Sequence, residues 1–199
     1  MRIYVALASW RGAAGGCGRL DTNMPGRALY TIGHSTLAAA ELLALLQEQG
    51  IEAVVDVRTI PRSRHNPQFN QDAFARALGE AGLEYAHRKA LGGLRHPRKD
   101  SVNLGWRNAS FRGYADYMQT EEFARALAEL EQMAEARRTA IMCAEAVPWR
   151  CHRGLIADAL TVRGRPVLHI QSRGTPPTSH QLTPFMRTVE GRPVYPLPD

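Results

Sequence analysis

Two cysteines, a carboxylate, a histidine and two arginines fall within the eleven residues CAEAVPWRCHR, from Cys143 to Arg153. Cys151 stands just before an apolar stretch that reads as a helix. At a helix N-terminus, unpaired amides and the helix dipole favour a thiolate, and Arg150 and Arg153 add positive charge. Cys151 is therefore a candidate nucleophile, with a buried structural thiol as the competing reading. Cys143 ends an apolar strand, where a core thiol is as good a reading as a functional one. Glu145 and His152 are candidate acid–base groups; for Glu145 the alternative is a carboxylate paired with a nearby arginine. A redox switch is a further option, because eight positions across a loop permit a Cys143–Cys151 disulfide without requiring it. A zinc site would want four ligands at recognisable spacing. Cys143, Cys151, His152 and His34 offer the donor types, but no CxxC pair or HExxH motif supports them, and no metal is expected.

Other segments add to this stretch. Asp56, at the end of VVDV, is a candidate acid or base, or else a holder of Arg58 or a loop amide. Asp56 and Glu145 together suit the two-carboxylate arrangement of glycosyl-bond chemistry. Arg58, Arg62 and Arg64 follow the same strand, and arginine suits planar, bidentate recognition of phosphate. Gly33, His34 and Ser35 stand where a first strand gives way to a first helix, whose amides suit an anion. With Arg150 and Arg153 facing them, these residues form a candidate anion site; the alternative is a solvated basic loop. The loop RKALGGLRHPRK over 88–99 precedes Trp106, Phe111, Tyr114 and Tyr117. Basic groups beside aromatics suit nucleic-acid contacts, although the two tyrosines read equally as helix packing.

The elements that must position these residues alternate. ALYTIGH, EAVVDVR, the end of LEYAH, TAIMCAE and RPVLHI read as short, apolar, β-branched strands. Between them lie amphipathic helices. The first, STLAAAELLALLQEQG, has Ser35 or Thr36 as its cap and Gly50 as its stop. The next has Asn70 as its cap, with Phe69 and Phe74 spaced as a hydrophobic staple. FRGYADYMQTEEFARALAELEQMAEARR reads as two helical pieces, the second capped by Thr120, and CHRGLIADALTVRG as the last helix. A short hairpin is expected around Glu190 and Gly191. Strands alternating with helices predict an α/β fold, a single three-layer αβα domain over 28–199 with a mostly parallel sheet of about five strands. In such sheets ligands bind beyond the carboxyl ends of the strands, where His34, Asp56, Arg58, Cys143 and Glu145 collect. One concave site is the expectation.

A net charge of +6 and a pI of about 9.6 favour anionic partners such as a nucleotide or nucleic acid. No apolar run is long enough for a transmembrane helix, and no membrane partner is expected. Three cysteines are too few for a disulfide scaffold and point to a reducing compartment. In residues 1–27 the apolar run IYVALA is interrupted by Trp10 and Arg11, so the stretch reads as a disordered or loosely attached extension rather than a secretory signal. No feature specifies a cofactor or an oligomeric state.

TIGHS, DVRTIPRSR, LGG, YADYM, CAEAVPWRCHR and HQLTPFMRTVEGRPVYP, in this order and spacing, resemble a widespread bacterial and archaeal family, domain of unknown function 488. The resemblance runs from about Leu29 to Pro196. It implies one α/β domain in the cytoplasm and supplies no reaction. Its characteristic positions map onto Gly33, His34, Ser35, Asp56, Arg58, Pro61, Ser63, Arg64, Gly92, Gly93, Cys143, Glu145, Cys151, His152 and Arg153. The functional expectation is an enzyme acting on a phosphorylated, nucleotide or nucleic-acid substrate. The alternatives are a nucleic-acid-binding module without catalysis and a redox sensor built on Cys143 and Cys151.

Overall fold

The computed structural model describes residues 27–198. The expected N-terminal extension thus lies outside the described residues, Arg27 excepted. The elements run β1 Leu29–Gly33, α1 Ala39–Glu48, β2 Ala53–Asp56, α2 Gln71–Glu80, β3 Glu84–His87, α3 Ala109–Tyr117, α4 Glu121–Ala136, β4 Thr139–Cys143, α5 His152–Val162, β5 Val167–His169, β6 Thr178–Ser179, β7 Arg187–Val189 and β8 Arg192–Val194. The main sheet has the order β3-β2-β4-β1-β5-β6, with the first five strands parallel. The αβα expectation holds. The sequence reading did not include β6, a two-residue antiparallel edge strand beside β5. Among the described residues no helix is long and apolar enough to cross a membrane.

Strand alternation sorts the chain onto two faces. Tyr30, Ile32, Val54, Ala140 and Met142 pack in one core with Leu42, Leu46, Phe74 and Leu78 of α1 and α2. Leu29, Val55, Val57, Ile141 and Cys143 pack in a second core with α3, α4 and α5. The two cores lie on opposite sides of one sheet because crossovers between parallel strands are right-handed. The steps β1 to β2 to β3 move one way along the sheet, and the steps β3 to β4 to β5 move the other way. The connection after β1 therefore leaves on the α1 face, and that after neighbouring β4 leaves on the α5 face. A crevice opens between their carboxyl ends, at a topological switch point.

Local signals set most boundaries. The Thr120 hydroxyl accepts the Phe123 amide at 3.3 Å and starts α4. Phe69 and Phe74 meet edge to face at 5.3 Å across the start of α2. Asn70 is the α2 cap residue, but its side chain accepts the Ser63 amide at 2.7 Å instead of a helix amide. Glu190 and Gly191, with φ of 49° and 74°, make the expected hairpin turn between β7 and β8. The start of α1 is a correction. Neither Ser35 nor Thr36 caps it; the helix begins at Ala39 after Ala38. Ser35 holds φ 44°, outside helical geometry, and the Ala38 amide is bonded by the Glu41 carboxylate at 2.9 Å.

Candidate functional site

The switch point holds a crevice of about 410 Å³ whose wall includes His34, Arg58, Arg62, Ser63, Asn66 and Glu145. Ser35, Thr36, Ile60, Ala144 and Ala146 complete it. Three strand ends supply it: β1 through His34, β2 through Arg58 and β4 through Glu145.

Arg58 is the best-held group there. Its Nε donates to Asp56 Oδ1 at 2.9 Å, and its Nη2 donates to Asp56 Oδ2 at 2.5 Å and to the Phe69 carbonyl at 2.7 Å. The Asp56 oxygens also accept the Arg58 amide and the Tyr85 hydroxyl. Asp56 is fully buried and does not line the crevice. Its expected acid–base role gives way to a holding one, because its lone pairs are taken and substrate has no path to it. Tyr85's own partial burial, then the Asp56 charge, push its phenol well above the ordinary pKa.

Arg58 Nη1 lies 3.2 Å from His34 Nε2, and His34 Nδ1 lies 2.9 Å from the Ser35 carbonyl. A carbonyl only accepts, so Nδ1 carries the hydrogen and Nε2 receives the guanidinium. Burial lowers the His34 pKa, Arg58 and Arg153 lower it further, and the Ser35 carbonyl and Asp56 partly oppose them. His34 is thus a neutral ring, stacked on Phe69 at 4.2 Å. The amide cradle expected from Gly33, His34 and Ser35 is not present. The His34 amide is given to the Cys143 carbonyl and the Ser35 amide to the Ala144 carbonyl, and α1 starts too late to aim its end there.

Arg153 also departs from expectation. It is 1% exposed and faces no solvent. Its Nη2 donates to the Glu145 and Ala146 carbonyls at 2.5 and 3.3 Å, and its Nη1 to Thr31 Oγ1 at 3.2 Å. It fastens the loop after β4 to β1. Gly33 makes room: a β-carbon there would overlap the Glu145 carbonyl oxygen. Arg64 and Arg150 are exposed and outside the crevice wall. Arg62 is exposed at the crevice, and Ser63 Oγ accepts the Asn66 amide at 3.0 Å, leaving its own hydrogen to donate. Glu145 is exposed, with Oε1 on the Ala146 amide at 2.9 Å.

The single site expected from the sequence divides in two. Cys143 shares the face of Val57 and α5, opposite His34 and Arg58. Cys143 and Cys151 are buried free thiols. Cys151 caps α5 and accepts the Arg153 amide at 3.5 Å. Its pKa falls well below that of an ordinary thiol, chiefly through the neighbouring Cys143 thiol and with help from His152 and Arg153. The neighbouring Cys151 and burial push Cys143 up. His152 Nδ1 lies 3.8 Å from the Cys151 sulfur, while His152 Nε2 is 3.0 Å from the Val57 carbonyl.

Cys151 also touches a second cavity, of about 590 Å³, walled by Trp106, Phe111, Trp149, Phe185, His169 and His180 among others. Trp106 stacks on Phe111 at 4.8 Å. Behind it runs a buried chain. Thr31 Oγ1 is 2.8 Å from His169 Nδ1, His169 Nε2 is 3.0 Å from His180 Nδ1, and His180 Nε2 is 2.9 Å from Asp158 Oδ1. A carboxylate only accepts, so His180 Nε2 carries a hydrogen toward Asp158 at one end of the chain, and Arg153 donates to Thr31 at the other. Burial, then the His180 and Arg153 charges, lower the His169 pKa to about 4. Sequence reading missed this chain, because His169, His180 and Asp158 share no local pattern. It also missed Asn66, whose only signal is a turn before Pro67. Tyr114 and Tyr117 are core residues whose hydroxyls donate to the Leu91 and Ala90 carbonyls. They are not platforms for bases.

No curated protein and no solved structure matches the chain. A family model described as Domain of unknown function DUF488 matches residues 38–160, more than half of the sequence. The match begins at the residue before α1 and ends within α5. Arg58, Arg62, Ser63 and the whole 143–153 segment lie inside it, and the chain belongs to the Domain of unknown function DUF488 family.

Proposed function

We propose that the chain is an enzyme whose strand-end crevice takes a small phosphate-bearing ligand, a nucleotide among the candidates. The observation that carries this is Arg58. A guanidinium fixed by Asp56, the Phe69 carbonyl and His34 keeps its Nη1 edge at the crevice without conformational freedom left to lose, which is how a site is preorganised for an anion. Arg62 adds an exposed charge, and Ser63 and Asn66 add polar groups beside it. The Asp56 partner neutralises Arg58, so Arg62 supplies most of the net attraction. Among the described residues Glu145 is the one carboxylate on the wall, and its second oxygen takes no hydrogen bond from them, which leaves it for proton transfer.

Thermal melts with inorganic phosphate and a panel of nucleoside mono-, di- and triphosphates test the binding. A ligand that raises Tm for wild type but not for Arg62→Ala supports it. Turnover of that ligand by wild type, retained binding by Glu145→Gln and loss of its turnover support the catalytic role. Binding with no turnover by any form favours a module without chemistry. No ligand effect beyond matched chloride removes the proposal.

A further inference from the structure

We propose that Cys143, Cys151 and His152 bind a soft divalent cation, zinc first among them, through two thiolates and His152 Nδ1. This centre lies on the α5 face, outside the crevice, and does not depend on the function proposed for it. The three donor atoms all lie within 4.8 Å of one another. Their convergence follows from the fold. Cys143 is the last residue of β4 and points to the α5 face. The chain turns back through the short 3-10 turn Pro148–Arg150, so Cys151 and His152 meet Cys143 at the start of α5.

The histidine supplies the second, independent observation. The Val57 carbonyl 3.0 Å from Nε2 can only accept, so Nε2 carries the hydrogen and the Nδ1 lone pair faces the sulfurs. Metal-bound histidines carry this outer arrangement, the far nitrogen donating to a carbonyl or carboxylate. Gly93 backs the ring: a β-carbon there would stand 3.1 Å from His152 Nδ1. A tetrahedral zinc with bonds of about 2.3 Å to sulfur and about 2.0 Å to nitrogen sets donor separations of roughly 3.5–3.8 Å. The Cys151–His152 separation of 3.8 Å already meets that, and since no pair is more than 4.8 Å apart, closing the rest takes at most about 1.3 Å.

Two thiolates select a soft or borderline cation over magnesium or calcium. Binding releases the thiol protons to solvent, and the two thiolates neutralise the dication. His34 is not the fourth ligand, since Arg58 and the Ser35 carbonyl hold both its nitrogens. Structural zinc sites close with four protein ligands, whereas three leave an open position. Cys151 also forms part of the wall of the aromatic cavity. The fourth ligand is then water or a donor atom of a molecule in that cavity.

The test uses the full chain carrying Cys17→Ser, kept reduced with a phosphine and titrated anaerobically with cobalt(II), then zinc. The expected result is one cobalt per chain, with thiolate-to-metal charge-transfer bands and the intense d–d bands of four-coordination, both displaced by zinc. Cys143→Ser, Cys151→Ser and His152→Gln should each weaken zinc binding by about 100-fold or more, beyond the 10–100-fold that loss of an outer-shell partner costs. Should a variant fail to fold by circular dichroism, zinc-edge X-ray absorption of the Cys17→Ser protein decides: two sulfur scatterers and at least one nitrogen support the site. No binding by the reduced protein, or binding unchanged in folded variants, overturns it.

Discussion

Arg153 donates to the main-chain oxygen of Glu145 at 2.5 Å, so the first turn of α5 holds the loop that walls the crevice. The loop 144–150 carries little apolar burial of its own, since Ala144, Glu145, Ala146, Trp149 and Arg150 are all exposed. Arg153→Lys keeps the charge but loses the fork that reaches two carbonyls and Thr31. The Thr31 hydroxyl is buried, and a buried acceptor left unpaired costs about 1–3 kcal/mol, whereas water can reach the two loop carbonyls. The variant should lose about 1–3 kcal/mol in denaturant melts and be cut sooner by protease within 144–150. An unchanged cleavage pattern would show that the loop is held by something else.

Gly33 meets the same loop from below. Gly33→Ala places a methyl group on the Glu145 carbonyl and near the Ala146 carbonyl, both main-chain atoms that cannot swing aside. The loop must lift. The expected outcome is a folded but less stable protein whose Glu145 and Ala146 amides exchange hydrogen faster, measured by mass spectrometry. Protection equal to wild type would contradict the close approach.

Asp56 separates a holding role from a catalytic one. It is fully buried and balances Arg58. Asp56→Asn leaves a buried guanidinium without its counter-charge, which costs about 3–5 kcal/mol. The melt should fall accordingly. A variant as stable as wild type but inactive on an identified substrate would return Asp56 to the acid–base role read from the sequence.

His169 sets a pH dependence. Its folded pKa of about 4 lies below the ordinary 6.5. Between those values the unfolded chain takes a proton that the folded chain refuses, so stability falls as pH drops from about 6.5 toward 4 and is unaffected by this group above 6.5. The full loss is about 3 kcal/mol at 1.36 kcal/mol per unit. His180, Asp158, Thr31 and Arg153 surround the ring or act on it, and the Arg153 charge opposes protonation. His169→Gln should be less stable at neutral pH and show a flatter slope over pH 4–6.5 in denaturant melts. An identical slope would place the titration elsewhere.

Much of this organisation is legible in the sequence. The apolar strands, the Thr120 cap, the Phe69–Phe74 staple and the Glu190–Gly191 turn are local signals, and local signals survive folding. The rim of strand ends is legible too, because every parallel strand delivers its last residue to one edge. The division of that rim into two sites is not, although alternation contains it: His34, Asp56 and Arg58 take one face and Cys143 the other. Arg153 misleads because a charged residue at a helix start suggests exposure, whereas three carbonyl and hydroxyl acceptors pull it inside. The Cys143–Cys151–His152 cluster hides behind its spacing, which matches no metal motif and is closed only by the turn at Pro148. His169, His180 and Asp158 meet through tertiary packing that no window of sequence displays.

The crevice as an anion site is tested most directly by calorimetric titration of inorganic phosphate into wild type, Arg62→Ala and Arg58→Lys at fixed ionic strength in chloride. Charge-assisted hydrogen bonds are worth about 1.5–3 kcal/mol, so Arg62→Ala should weaken phosphate by roughly 10–100-fold. Arg58→Lys keeps the charge but loses the planar edge, and should weaken it as well. Phosphate that binds wild type saturably, and both variants more weakly, is the predicted result. Heats for wild type indistinguishable from dilution, or equal affinity in all three proteins, would contradict it.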